Sequence, residues 1–167
     1  KKIIDILPYS YNVNEKERII IYNLYRNNQP FKDYGPNPFK VNIRKIALDN
    51  DNFRIALWTG NHLQLTLMSL NVGEDIGLEM HPDVDQFIRI ESGQGEVTMG
   101  DMEDMVDFKE IVKEDDIILI PAGKWHNVKN IGRTPLKLYS IYAPANHPHS
   151  VIHKTKLDAA EEERYFY

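Results

Sequence analysis

The chain has 167 residues, enough for one domain with a core of its own, and carries 20 Lys and Arg against 25 Asp and Glu, a formal charge of −5. It has no cysteine, which excludes disulfides, thiolate metal sites and cysteine nucleophiles and makes the reducing cytoplasm the expected location. No basic block is present to neutralise a run of phosphates, no apolar run reaches the roughly 18 residues of a membrane span, and the Lys1-Lys2 opening lacks the apolar region of a signal peptide, so neither nucleic acid nor membrane is an expected partner.

Residues 1–35 differ in texture from the rest and read as an N-terminal extension, with residues 36–167 as the main domain. The extension's "RIIIYNLY" fits a helix or a strand equally well, because so short an apolar run has no decisive period. Asn42 is placed to cap a short helix over "IRKIALDN", which the Asp49-Asn50-Asp51-Asn52 run ends. From Phe53 onward, β-prone segments alternate with turn residues: "FRIALWT", "LQLTLMSL", "QFIRI", "EVTM", "DFKEIV", "IILI", "HNVKN" and "LKLYSIYA". Eight strands at this spacing predict an antiparallel sandwich or barrel, and the absence of alternating helices argues against a Rossmann-like fold. The terminal "LDAAEEERYFY" returns to helix, with Asp158 and Glu161 spaced as a capping box.

Side-chain parity then locates polar groups on inner faces. Glu79 and His81 share one face of an extended segment, and Gln86 shares its side with Ile88 and Ile90. If the two segments pair as a hairpin across Pro82–Asp85, Gln86 faces the core beside Glu79 and His81. In "LKLYSIYA", Leu136, Leu138, Ser140 and Tyr142 point inward with Lys137 outward. Parity leaves open whether Gln64, Thr66 and Met68 or Leu63, Leu65 and Leu67 face inward. Apolar residues on both faces of that strand call for cover on the outside, and a homodimer is the expected source.

A carboxylate, an imidazole and a carboxamide converging in an apolar interior need a common partner, and a divalent cation satisfies all three. Oxygen and nitrogen donors without thiolate suit Mn, Fe, Co, Ni or Zn, and spacing does not choose among them. Two framed stretches carry the site. The first runs Gly73, five residues, Glu79, one, His81, four, Gln86, six, Gly93; the second runs Asp115, five, Pro121, one, Gly123, two, His126, three, Asn130.

These frames resemble the two motifs of the cupin superfamily over about residues 53–145. The resemblance implies an all-β fold, an antiparallel double-stranded β-helix or jelly-roll barrel, here with short helices at its N- and C-terminal ends. It also implies that Glu79, His81, Gln86 and His126 ring a divalent metal. Two positions depart from the pattern, since the family has His first and Glu third where this chain has Glu79 and Gln86. The carboxylate has in effect moved from the third position to the first, leaving the charge of the set unchanged. Small cupins of this kind include sugar isomerases and epimerases, lyases and dioxygenases, so the expected function is a metal-dependent enzyme acting on a small oxygen-rich molecule, the ion serving as Lewis acid. The alternative is a non-catalytic metal-dependent binding or sensor module. Tyr142 and His149 are the candidate acid/base residues. His147, His149 and His153 read as a loop or lid over the barrel mouth rather than a second metal site, His62 as a surface residue, and Asp83 and Asp85 as turn-formers.

Overall fold

A computed structural model describes residues 31–166. The extension read over residues 1–35, with its "RIIIYNLY" segment, lies outside the described residues except for its last few positions. Asp33–Tyr167 forms one compact unit.

Helix α1 spans Ile43–Asp49, and its Asn42 cap accepts a hydrogen bond from the Lys45 N–H as expected. Nine strands follow: β1 Arg54–Thr59, β2 Gln64–Leu70, β3 Asp85–Ser92, β4 Gln94–Gly100, β5 Phe108–Lys113, β6 Ile117–Ile120, β7 Trp125–Asn130, β8 Leu136–Ala143 and β9 Ile152–His153; helix α2 is Lys156–Phe166. All eight segments read from the sequence are strands, and the two-residue β9 is the addition. They form a six-stranded sheet, β6-β3-β8-β2-β1-β9, and a three-stranded sheet, β5-β4-β7, with antiparallel pairing throughout. The apolar core, including Met68, Leu70, Ile88, Ile90, Val97, Val128, Leu136 and Leu138, lies between them. This is the jelly-roll architecture. Among the described residues no helix is long and apolar enough to cross a membrane.

The spacing of the two frames follows from corners where the chain changes sheet. Gly93, between β3 and β4, has φ +96°, and a Cβ there would lie 2.9 Å from the Pro135 carbonyl oxygen, so only glycine fits. Gly123 (φ +81°) makes the turn ahead of β7. Asp115, standing where the family pattern has glycine, also takes a positive φ of 72°; aspartate is among the few residues that tolerate this conformation. Asn130 closes the second frame structurally. Its Nδ2 donates to the carbonyls of Leu70 and Thr134, each at 2.9 Å, and its Oδ1 accepts from the Gly132 N–H, stitching the end of β7 to the end of β2.

One reading is corrected, and one that parity left open is decided. The helix-capping box is Thr155 with Asp158: the Asp158 N–H donates to Thr155 Oγ1 and the Thr155 N–H to Asp158 Oδ2, so α2 begins one turn earlier than the Asp158–Glu161 pairing places it. On β2 the polar set faces inward, because Thr66 and Met68 pair with Ser140 and Leu138 of β8, and Met68 belongs to the core. The outward residue Leu67 is nevertheless fully buried within one chain, as is Ile55 opposite it on β1. Helix α1 packs on β8 and β3, and Lys137, outward but buried, donates to the Asn50 carbonyl and to Asp51. Cover for this face therefore does not require a second subunit.

Asn130→Ala removes three hydrogen bonds that tie the end of β7 to Leu70 and Thr134, at a cost of about 2–4 kcal/mol. Urea unfolding should show that loss as a lower midpoint with an unchanged slope.

Candidate metal centre

The first frame does not pair with β3 as a hairpin. Residues 74–81 run along the free edge of β7: the Ile76 N–H donates to the Val128 carbonyl, the Asn130 N–H to the Glu74 carbonyl, and Glu79 and His126 exchange two backbone hydrogen bonds of 3.0 and 2.9 Å. The His81 carbonyl then accepts from the Gly123 N–H at 2.8 Å. Pro82–Asp85 crosses to the other sheet, where Asp85 Oδ1 accepts from the Ala122 N–H and joins the start of β3 to the turn before β7. Glu79, His81 and His126 thus come from the three-stranded side, and Gln86 and Tyr142, paired on β3 and β8, come from the six-stranded side. The Tyr142 and His81 rings meet edge to face, 5.9 Å between centroids, across that gap.

Glu79 Oε1 lies 3.4 Å from His81 Nε2 and 3.5 Å from His126 Nε2, and one ligand atom from each residue falls within 4.8 Å of the others. Two ligands bonded to one ion at about 2.1 Å lie about 3–3.4 Å apart at octahedral to tetrahedral angles, so this spacing fits a shared cation. All three atoms are buried without a hydrogen-bond partner. His126 Nδ1 is 2.9 Å from the Lys124 carbonyl, which can only accept, so Nδ1 carries a proton and Nε2 is the ring nitrogen turned to the cluster. Burial pushes the Glu79 carboxyl toward its neutral form, but the flanking His126 and His81 and the charge of Arg54 outweigh it and hold the carboxyl well below the usual carboxylate range. One carboxylate oxygen and two imidazole nitrogens converging on a buried point are a donor set that suits a divalent metal. The Glu79, His81, His126 cluster can hold a metal.

Gln86 is buried, as parity predicts; its Nε2 donates to Ser140 Oγ at 3.0 Å and its Oε1 has no partner, which leaves an oxygen for an ion or a ligand. Tyr142 is fully buried, and burial raises its hydroxyl to about 12, so it is a neutral phenol at any physiological pH. His149 is placed elsewhere: its ring engages the Gly35 carbonyl and the Ser150 hydroxyl, near Asp33.

Sequence reasoning read His147 only as part of a loop or lid over the barrel mouth and gave it no place in the site. Its ring packs edge to face on Tyr142 at 4.9 Å, its Nε2 is buried and unpartnered, and burial together with the Arg54 charge keeps it neutral. Gln64 holds the loop there, donating to the His147 carbonyl and accepting from the His147 and Asn146 N–H groups. No periodicity marks a loop residue, but three histidines within seven positions were the available signal. His153, from the same stretch, is buried on β9 against Glu162.

Comparisons with known proteins agree with this architecture. A family model described as the cupin domain matches residues 66–142. The uncharacterized protein YrkC of Bacillus subtilis is 61% identical over 132 residues, covering 79% of this chain and 71% of its own. The crystal structure of BH2720 from Bacillus halodurans superposes with a TM-score of 0.77 at 59% identity, covering 78% of this chain and 98% of that one. The structure of TT1209 from Thermus thermophilus, at 20% identity, TM-score 0.54 and coverage of 63% and 96%, shares the fold alone.

Glu79→Ala or His126→Ala should lower affinity for Zn or Mn by at least about 100-fold, because each removes a direct donor, whereas Gln86→Ala should cost about 10-fold. Metal content after gel filtration, by atomic emission, checks the order.

Proposed function

This chain belongs to the cupin family, and we propose that it is a metal-dependent enzyme acting on a small oxygen-rich molecule by proton transfer, in the manner of an isomerase, epimerase or lyase. The observation that carries the reading is the set of buried, unpartnered donors of Glu79, His81 and His126 beside a neutral phenol and a neutral imidazole. A bound divalent ion would supply Lewis-acid polarisation of a substrate oxygen. Gln86 Oε1 is proposed as its fourth protein donor.

The protein's own groups supply the rest. Tyr142 keeps its proton and is a hydrogen-bond donor for a substrate oxygen, not a base. His147 Nε2 is the group available to accept or return a proton, with the ring oriented by Tyr142 and the loop by Gln64. His149 is outside this arrangement. A cytoplasmic location accords with the cysteine-free composition.

The purified protein is expected to carry close to one divalent metal per chain and to lose turnover on chelation. A screen of sugars, hydroxy acids and diketones that monitors oxygen uptake and solvent-proton exchange together decides the branch: exchange without oxygen uptake supports this reading, oxygen uptake makes the chain a dioxygenase, and stoichiometric ligand binding without either makes it a binding or sensor module.

We also propose that the chain forms a homodimer through the outer sheet edges. Strands β5 and β6 are edge strands and expose Phe108, Ile111, Ile117 and Leu119, an apolar surface of the kind a second copy covers. Sedimentation velocity should give a dimer for the native chain and a monomer for Ile111→Glu/Leu119→Glu; a native monomer rejects the assignment.

A further inference from the structure

Arg54 opens β1 inside "FRIALWT", the one charged residue in an otherwise apolar strand. Its Cα pairs with Met68 of β2 and His153 of β9, so it shares the inward face of Met68, and it is only 2% exposed. A buried guanidinium normally sits against a carboxylate. Among the described residues this one has no carboxylate within salt-bridge distance and donates no side-chain hydrogen bond; its Nε is buried and unpartnered, and its nearest ring contact is Phe53, 5.4 Å from the guanidinium carbon. Glu162, the acid beside its β9 neighbour His153, is engaged by that imidazole.

For stability alone this is a poor choice. An unpaired buried charge costs several kcal/mol, while a methionine of similar length at the same position would pack without that cost. Arginine's five fixed donors suit one partner above others, a planar oxyanion taken bidentately. On the inward face of β1 the next residue is Ala56, paired with Thr66, which is itself paired with Ser140, so Arg54 stands one step of the pleat from the polar rows that face the candidate metal centre. Further unpaired polar atoms line that interior: Thr66 Oγ1, Gln86 Oε1 and His147 Nε2.

We infer that Arg54 is a substrate-binding residue that holds a carboxylate, and that the substrate is a small organic acid whose remaining oxygens face Glu79, His81 and His126. Carboxylate is favoured over phosphate on valence. A guanidinium fork with one or two hydroxyl or imidazole hydrogen bonds satisfies a carboxylate, whereas a phosphate dianion is usually met by a cluster of backbone N–H groups or a helix N-terminus, and Arg54 lies on a strand whose backbone is paired with β2 and β9. The inference names the substrate class of the site proposed above. It rests on that reading for the second anchor, while the Arg54–carboxylate contact stands without it.

The test uses Arg54→Met, Arg54→Lys and the native chain, with pyruvate, malate and gluconate as probes, their methyl esters as uncharged counterparts, and inorganic phosphate. Thermal unfolding is followed in metal-loaded and in chelator-treated protein. In chelator-treated native protein the acids should raise the midpoint by about 3 °C near ten times Kd, and the esters should not. Arg54→Met should lose the shift, unfold without ligand at or above the native midpoint, and retain the native metal content; Arg54→Lys should keep a reduced shift, and affinity should fall about 10- to 100-fold in the Met variant. The inference is overturned if Arg54→Met unfolds earlier than native or does not fold, since Arg54 is then structural. It is equally overturned if the variant shifts like the native chain, if no acid moves the native chain, or if phosphate moves it more than every acid. A native chain that binds no metal rejects the metal reading alone, because the chelator-treated shifts still decide the role of Arg54.

Discussion

Three electron-pair donors aimed at one buried point set the terms for this structure. Glu79 Oε1, His81 Nε2 and His126 Nε2 lie close together and have no hydrogen-bond partner. Each unsatisfied buried atom costs about 1–3 kcal/mol, so the arrangement persists only because backbone contacts hold it. Those contacts are reciprocal. The Glu79–His126 backbone pair brings the two frames side by side, the Gly123 N–H fixes the His81 carbonyl, and the Ala122 N–H fixes Asp85 as the chain leaves for the other sheet. Loosening any one of them separates the donors, which is why the residue spacing within each frame matters as much as the ligands themselves.

The six-stranded sheet is divided along its strands to serve that point. Its antiparallel register aligns Ile90, Leu138 and Met68 in one cross-strand row, Ile88, Ser140 and Thr66 in the next, and Gln86, Tyr142 and Gln64 in the last. All nine side chains are buried, yet the rows pass from apolar to fully polar over two steps of the pleat. One end of the barrel interior is therefore an ordinary core, and the other is a polar wall facing Glu79, His81 and His126. The division keeps the hydrophobic stabilisation apart from the chemistry, so polar substitutions at the site end leave the packed end intact.

Much of this was legible because strands have a period of two and the frames have fixed spacing. Parity alone placed Gln86, Ser140 and Tyr142 inward, and the frames identified Glu79, His81 and His126. Parity failed on β2, where leucines alternate with Gln64, Thr66 and Met68; the outer leucines are buried within the same chain, so hydrophobicity could not tell inside from outside. Adjacency in sequence also misled. Residues before β3 seemed its natural hairpin partner, but the chain changes sheets at Pro82–Asp85, and the backbone partner of Glu79 comes from forty-odd positions later, a pairing no local pattern encodes. His147 and Arg54 escaped for the opposite reason. Each is a single residue whose meaning lies in what surrounds it in space, and neither a loop nor the first position of a strand carries a period to betray it.

The unusual order of the ligands follows from the same geometry. With the carboxylate at position 79 rather than 86, the negative charge sits in the segment along β7, within the field of Arg54, while the β3 position carries a neutral amide. A glutamate at 86 would instead place its charge beside Tyr142 and Ser140 in the most buried polar row, where a phenol held near a pKa of about 12 offers little stabilisation beyond one hydrogen bond. Were a dication held there, the formal charges with Glu79 would sum to +1, and Arg54 would raise the interior to +2. An interior of that sign favours an anionic ligand over a neutral one at every approach through low-dielectric walls, and the amide at Gln86 can meet such a ligand without repelling it. The exchange of Glu and Gln between the two positions is thus a change in where charge is placed rather than in how much there is.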